Sequence, residues 1–390
     1  MRLFVVLAQS INSVKCIGGY MLKAYKYRMY PTKQQEEMFS KHFGCVRVIY
    51  NWALEQKIKS YEQDGKAISR FTLNKTIPTL YKDMEWLKEV NSQSLRGATL
   101  NLDNAFTRFF REKTGFPKFK SKKNPVQSFS VPQYYKVDFE KNKVKLPKIG
   151  WIKTILHRHF DGKCKTATVS KIPSGKYFIS ILVDDGKELP DKQDFDENSA
   201  VGIDVGIKDF AIMSNGEKID NPRHLNNSVK RLKVLQKRLS RKQRGSKNRD
   251  KAKQQIAKLH EKIANQRNDF QHKLTSGLIS ENQAIALETL TVSGMLKNHK
   301  LAQSISDVSW SSFVTKLEYK AEWYGKSILR IGQFEPSTKI CNVCGYHNNN
   351  ITLVERQWQC PDCGASHDRD VNAAINIKKF ALNKQNLIGI

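Results

Sequence analysis

The chain has 390 residues, 67 Lys plus Arg against 37 Asp plus Glu, and a net charge of +30. A surplus of that size would self-repel without a polyanion, so nucleic acid is the expected partner and a solvated basic surface without a partner is disfavoured. The length allows two or three domains, and no apolar run approaches the ~20 residues that span a bilayer, so no membrane is expected.

The opening MRLFVVLAQS has an apolar run of only six residues, Leu3 to Ala8, too short for a secretory leader. Residues 1–20 read as a tail, with Met21 opening the structured part. Residues 22–31 alternate and end at Pro31, as a strand does. Thr32 and Gln35 form a capping box for a helix running toward Phe43, and Val46 to Tyr61 is expected as a second helix. A later helix, Ser92 to Arg111, places Leu95, Ala98, Leu102, Ala105 and Phe109 on one stripe. Residues 32–112 therefore read as a helical domain.

In residues 115–129, Phe116, Phe119 and Phe129 interleave with Lys118, Lys120, Lys122 and Lys123. Such a segment is either a charged loop with aromatic anchors or a surface where cations meet phosphates and rings stack on bases. From Tyr135 to Val183 the period changes to two, with a hairpin signal at Ser174-Gly175. A small β-barrel or curled sheet is expected over 113–183, joined by the strand of residues 21–31. Residues 184–199 are acidic and turn-rich, and read as a linker.

After the linker comes an apolar strand, a turn at Gly206 and a second strand. Residues 229–249 then carry ten Lys or Arg and no acid, while Leu232, Leu235 and Leu239 keep a helical stripe. A second helix places Ala252, Ile256, Leu259, Ile263, Phe270 and Leu274 along a seam, so the pair is a basic helical hairpin. QAIALETL (283–290) reads as a buried strand ending in Glu288. A helix bearing Trp310, Phe313, Leu317, Ala321 and Tyr324 follows, and then the strand SILRIGQF.

Near the end, Cys341 and Cys344 form one C-x-x-C and, fifteen residues on, Cys360 and Cys363 form another, each followed by glycine. A disulfide pair is the bland alternative. Four thiolates at this spacing point instead to one structural Zn²⁺. The other three cysteines, Cys16, Cys45 and Cys164, are scattered and odd in number, which suits the reducing cytoplasm.

Three acids stand out by position. Asp204 lies inside an apolar strand, Glu288 ends another, and Asp370 opens a helix of small residues, DVNAA. Asp368 competes for the third place but is better set to cap that helix. A strand pair, helices, a strand ending in an acid, then a helix with an acid is the order of an RNase H-like fold. Three acids meeting there are tolerable with divalent cations between them, and two Mg²⁺ ions suit phosphodiester hydrolysis.

GIDVGIKDFA, RLSRKQRGSKNR, ALETL, LEYKAEWYG, PSTKICNVCG and HDRDVNAA together resemble the TnpB/OrfB family of insertion-sequence proteins, related to type V CRISPR effectors. The resemblance runs from about Met21 to Ile377; the residues before Met21 lack a counterpart, and Thr289 stands where members often carry a second acid. It implies a multidomain α+β chain: a RuvC-like nuclease domain over 200–335 and 366–390, an inserted zinc ribbon over 336–365, a wedge-like β domain and a helical recognition domain. It implies RNA-guided cleavage of DNA, with a guide RNA from the transposon end, double-stranded target DNA and a short flanking motif. Catalytic acids are implied at Asp204, Glu288 and Asp370, and motif readers at Ser92 and Arg96. The expected nucleic-acid contacts further include Lys118, Lys120, Arg241, Lys242, Arg244, Lys247 and Arg249. Two other readings stay open: a transposase acting directly on element ends, which would have to work without the Tyr-with-His-pair motif of single-strand transposition, and a catalytically silent nucleic-acid-binding regulator.

Overall fold

The computed structural model describes residues 20–112, 114–352 and 354–385. The tail assigned to residues 1–20 lies outside them, except that Tyr20 already begins the first strand. The chain divides into two compact units with a boundary between Lys187 and Glu188.

In the amino-terminal unit, β1 (Tyr20–Tyr30) leads into α1 (Lys33–Asp64) through the Thr32/Gln35 capping box. The two helices expected here are one helix of 32 residues. Gly44 does not break it, because Phe39, Phe43, Val46, Ile49, Tyr50, Ala53 and Leu54 continue one buried stripe across it. Burying that stripe outweighs the ~1 kcal/mol that a glycine costs mid-helix. The helix ends at Gly65, whose φ of 62° and N–H bond to the Tyr61 carbonyl make a left-handed cap. After α2 (Arg70–Thr76), α3 (Ser92–Glu112) begins at Asn91, whose Oδ1 accepts from the Gln93 amide. Asn91 is itself held by the buried His42. The ring Nε2 accepts the Asn91 N–H at 3.2 Å and Nδ1 donates to the Met38 carbonyl at 2.8 Å.

Six strands follow: β2 (Gln127–Val131), β3 (Lys136–Asp138), β4 (Lys143–Leu146), β5 (Gly150–Ile155), β6 (Lys163–Lys171) and β7 (Tyr177–Glu188). They form one sheet with β1 in the order β2-β6-β7-β1-β5-β4-β3. Strand β2 falls where a loop was expected: Phe129 points into the core against Phe39 and Phe43 rather than toward solvent. Residues 184–188 are strand and not linker, because their acids meet lysines across the sheet. Asp184 lies opposite Lys163 and its carboxylate is 3.0 Å from the Lys165 ammonium.

The carboxy-terminal unit is built on β8 (Ala200–Val205), β9 (Asp209–Met213) and β10 (Lys218–Asp220), then the hairpin α4 (His224–Ser240) and α5 (Lys247–Glu281). Next come β11 (Ala284–Glu288), α6 (Val292–Met295), α7 (Ala302–Val308), α8 (Trp310–Trp323) and β12 (Ser327–Ile331). The hairpin β13 (Gln357–Gln359)/β14 (Ser366–Asp368) runs directly into α9 (Arg369–Asn383). The sheet order is β10-β9-β8-β11-β12, antiparallel for the first three and parallel from β8 to β12. One face packs on α5 and α8 through Phe210, Phe270 and Phe313. The other face receives α9, and Gly202 shows how closely: a Cβ there would sit 2.1 Å from the Ala374 carbonyl.

Between α5 and α8 lie two buried lysines whose ammoniums meet no carboxylate among the described residues. Lys316 donates to Asn268 Oδ1, Gln271 Oε1 and Ser312 Oγ at 3.2, 3.1 and 2.6 Å. Lys320 donates to the His272 carbonyl, Thr275 Oγ1 and Ser276 Oγ at 2.7–2.8 Å. Burial pushes both ammoniums down to about 8.

Candidate active site and metal centre

Parallel pairing of β8 with β11 places Ile203 opposite Leu287, so Asp204 and Glu288 are the next residues at the carboxyl ends of adjacent strands. Because α9 lies on Gly202 through Ala374, its first turn is directed to the same end and brings Asp370 with it. The three charges act on one another. Burial first, then the charges of Glu288 and Asp370, push the Asp204 carboxyl up to about 8, only partly offset by Arg369.

The other two acids are held by named partners. Glu288 Oε1 accepts from the buried Ser337 hydroxyl at 2.5 Å. Asp370 takes a guanidinium on each oxygen: Arg356 Nη1 reaches Oδ2 at 2.6 Å, and Arg369 Nε and Nη2 reach Oδ1 at 3.2 and 3.0 Å. Asp368 caps α9, its Oδ1 accepting from the Asp370 and Val371 amides, and pairs with Lys218. Thr289, next to Glu288, donates its hydroxyl to the Ile331 carbonyl at 2.7 Å.

The four cysteines converge. Their Sγ atoms all lie within 4.8 Å of one another, with Cys341–Cys363 at 3.7 Å and Cys344–Cys360 at 3.6 Å. The two knuckles repeat one backbone solution. Gly345 N bonds the Cys341 carbonyl and Gly364 N bonds the Cys360 carbonyl, and both glycines have positive φ, 81° and 72°. His367 lies against this cluster, its Nε2 3.1 Å from Cys341 Sγ and its ring 4.7 Å from that of Trp358. Two buried asparagines of α9 tie the ribbon's entry to the helix. Asn372 accepts from Asn342 N and donates to the Ile340 carbonyl, and Asn376 donates to the carbonyls of Ser337 and Ile340.

Three family models match: "Probable transposase" over residues 180–299, "Cas12f1-like, TNB domain" over 310–377 and "Helix-turn-helix domain" over 21–66. The last span is β1 with the continuous α1. A Streptomyces pristinaespiralis protein named "Putative RNA-guided DNA endonuclease" is 38% identical over 365 residues, covering 91% of this chain and 88% of its own. An Escherichia coli protein of the same description, InsQ, is 31% identical over 373 residues, with 91% of each chain covered. The chain belongs to the TnpB/OrfB family. The fold is also similar to that in a cryo-EM structure titled as a Cas12f1–sgRNA–target DNA complex, with a TM-score of 0.54 and 15% identity over 92% of this chain and 99% of the other.

Within this TnpB/OrfB chain, the residues expected to touch nucleic acid divide by their surroundings. Ser92 and Arg96 are exposed one turn apart at the start of α3. Lys118, Arg241, Lys242, Arg244 and Lys247 are exposed as well. Arg249 and Lys120 have internal partners. Arg249 Nη1 donates to the carbonyls of Leu239 and Lys242 at 2.9 and 2.7 Å, stapling the α4–α5 turn. The Lys120 ammonium sits over the Tyr50 ring at 4.1 Å, where burial lowers its pKa. The sequence reading missed Arg356, Ser337, Asn372 and Asn376. Only the asparagines carried a signal, being polar residues at helical spacing on an otherwise apolar face.

Proposed function

We propose that this protein is an RNA-guided, Mg²⁺-dependent DNA endonuclease in which Asp204, Glu288 and Asp370 hold the catalytic metal. The observation that carries this reading is the Asp204 carboxyl, desolvated in the field of two further acids at one end of a sheet. Such a cluster repels itself, and hard oxygen donors of this kind suit Mg²⁺. The strand order, with the first three strands antiparallel and the next two parallel beside the first, supports an RNase H-like, RuvC-type nuclease unit. When bound, Mg²⁺ would polarise a phosphodiester and lower the pKa of its water. The chain's own contribution is orientation: Ser337 fixes the Glu288 carboxylate, and Arg369 fixes that of Asp370. Arg356, whose side chain is 46% exposed, is the more exposed of the two guanidiniums on Asp370.

One Zn²⁺ held by Cys341, Cys344, Cys360 and Cys363 fits four sulfurs already gathered within 4.8 Å. Its task is structural, since a closed site of four thiolates leaves no open position. The seven-stranded sheet would serve as the wedge and the helices α1–α3 as the recognition domain. Ser92 and Arg96 would then read the flanking DNA motif, Arg96 as a bidentate donor to guanine. The exposed cations of residues 241–247 and Lys118 would supply affinity through phosphates. Among the described residues no helix is long and apolar enough to cross a membrane, and we place the protein's work in the cytoplasm, with guide RNA and duplex DNA as partners.

The test uses protein expressed with its flanking element and a linear duplex matching the bound guide. Cleavage should require guide and Mg²⁺, and Asp204→Ala should abolish it while RNA and DNA binding persist. Guide-independent cutting at a fixed end sequence would favour the transposase reading, which the "Probable transposase" description of the matching family model keeps in view. Tight binding without cutting under any guide would favour a silent regulator.

A further inference from the structure

In the amino-terminal unit, the end of α3 and the segment after it form an aromatic cluster. The Phe106 and Phe110 rings stack at 6.3 Å, and Phe109 meets Phe110 edge-on at 5.0 Å. Phe116 closes the group, 5.5 Å from both Phe106 and Phe109. The outer faces are uncovered: Phe110 is 73% exposed and Phe116 47%. Leaving a phenylalanine ring in water forgoes its burial, so two such rings in one cluster point to an absent partner.

The segment carrying Phe116 is anchored rather than loose. Asn51 clamps it from α1, its Nδ2 donating to the Lys120 carbonyl at 3.0 Å and its Oδ1 accepting the Lys120 N–H at 2.7 Å. Pro117 is buried between the exposed Phe116 and Lys118. The rings are thus presented by a fixed frame.

The charges around them select the partner. Arg108, Arg111, Lys118, Lys122 and Lys123 are all exposed, against the single acid Glu112 in that stretch. An apolar protein surface would not call for such a cationic rim, and duplex nucleic acid offers no free base faces. Unpaired nucleic acid offers phosphates and base faces together. We infer that Phe110 and Phe116 form a stacking platform for an unpaired segment of RNA. Assigning RNA in preference to DNA rests on the proposed function, in which the DNA partner enters as a duplex while the guide RNA offers unpaired bases.

The test uses the full chain stripped of nucleic acid and a fluorescent oligouridine. Phe110→Ala should weaken binding about 5- to 150-fold, the range for one stacked base, while Phe110→Trp should bind as well as the parent. Neither change should alter affinity for duplex RNA of the same length. The salt dependence should be unchanged in Phe110→Ala and shallower in Lys118→Gln, since only the latter removes a phosphate contact. In guide-loaded protein, a photoreactive Phe110→p-azidophenylalanine variant should crosslink RNA. Unchanged oligouridine binding by Phe110→Ala, equal losses on single and double strands, or crosslinking to DNA would each overturn the inference. So would conversion of a dimer to a monomer by Phe110→Ala, which would make the rings a self-interface. None of these readouts requires cleavage. A protein that stacks RNA and never cuts would sink the endonuclease reading alone, and one that cuts with Phe110→Ala binding unchanged would sink the platform alone.

Discussion

The carboxy-terminal unit holds two charge clusters of opposite sign and treats them differently. Lys316 and Lys320 each find three oxygen acceptors within the fold, so every ammonium proton has a fixed neutral partner. Asp204 instead sits half-buried among its own kind, and Arg369 offsets only part of the repulsion. A buried charge saturated by nearby dipoles holds helices together. A charge surrounded by like charge is incomplete until a cation arrives. On the proposed function, the difference separates architecture from chemistry.

The sharpest way to break this contrast is Asp204→Asn. It should lower guide-dependent cleavage by at least ~10³-fold, since metal and water activation are lost together. It should also raise the melting temperature in EDTA by about 2–4 °C, the response to roughly 1 kcal/mol in a unit of this size. An acid that merely stabilised the fold would lower the melt. Cys360→Ser extends the comparison to a third cluster whose partner is external. Zinc measured by elemental analysis should fall from about one per chain toward none, with cleavage falling alongside. The amino-terminal unit should keep its protease resistance.

Lys320→Ala addresses the opposite cluster. Three acceptors lose their donor and the stem leaves a gap, so a cost of about 2–4 kcal/mol is expected in a denaturant melt. Cleavage per folded molecule should be unchanged. A large drop in activity with no loss of stability would move this lysine pair from architecture to chemistry. The smallest effect concerns His42, a buried group held, like the lysines, by neutral partners. Burial lowers its pKa below the usual 6.5, so the unfolded chain binds a proton that the folded chain does not. Its stabilising share is therefore complete above about pH 6.5 and is lost as pH falls through the lowered value. His224, His260 and His367 shift the same way, so the parent's slope is a sum. The difference between His42→Leu and the parent isolates this histidine, and the variant's melting temperature should fall less steeply from about pH 8 to 5.

The clusters were unequally legible in the sequence. Asp204 stood out because an acid inside an apolar strand violates the local pattern, and the cysteines because C-x-x-C spacing has few uses. The lysine pair was hidden, since Lys316 and Lys320 sit on a helix whose apolar stripe reads normally without them. Arg356 was equally invisible: its meeting with Asp370 depends on the β13–β14 pairing, which no local signal encodes. Two helices were expected, one toward Phe43 and one from Val46, but burial of one continuous stripe joins them. The acids at 184 and 185 suggested a linker, but they lie across from lysines on a neighbouring strand. In each miss the deciding partner came from elsewhere in the sequence, where a short window cannot see it.

The distribution of the acids along the chain has a consequence in time. Asp370 lies 166 positions after Asp204, which is roughly 8–33 s of synthesis at ~5–20 residues per second. Throughout that interval a nascent chain can form the amino-terminal unit, while the proposed cutting centre has no third carboxylate. Strand β14 of the ribbon precedes α9 without a break, so the cysteine knuckles are made before the final acid. A nuclease ordered this way emerges from the ribosome unarmed.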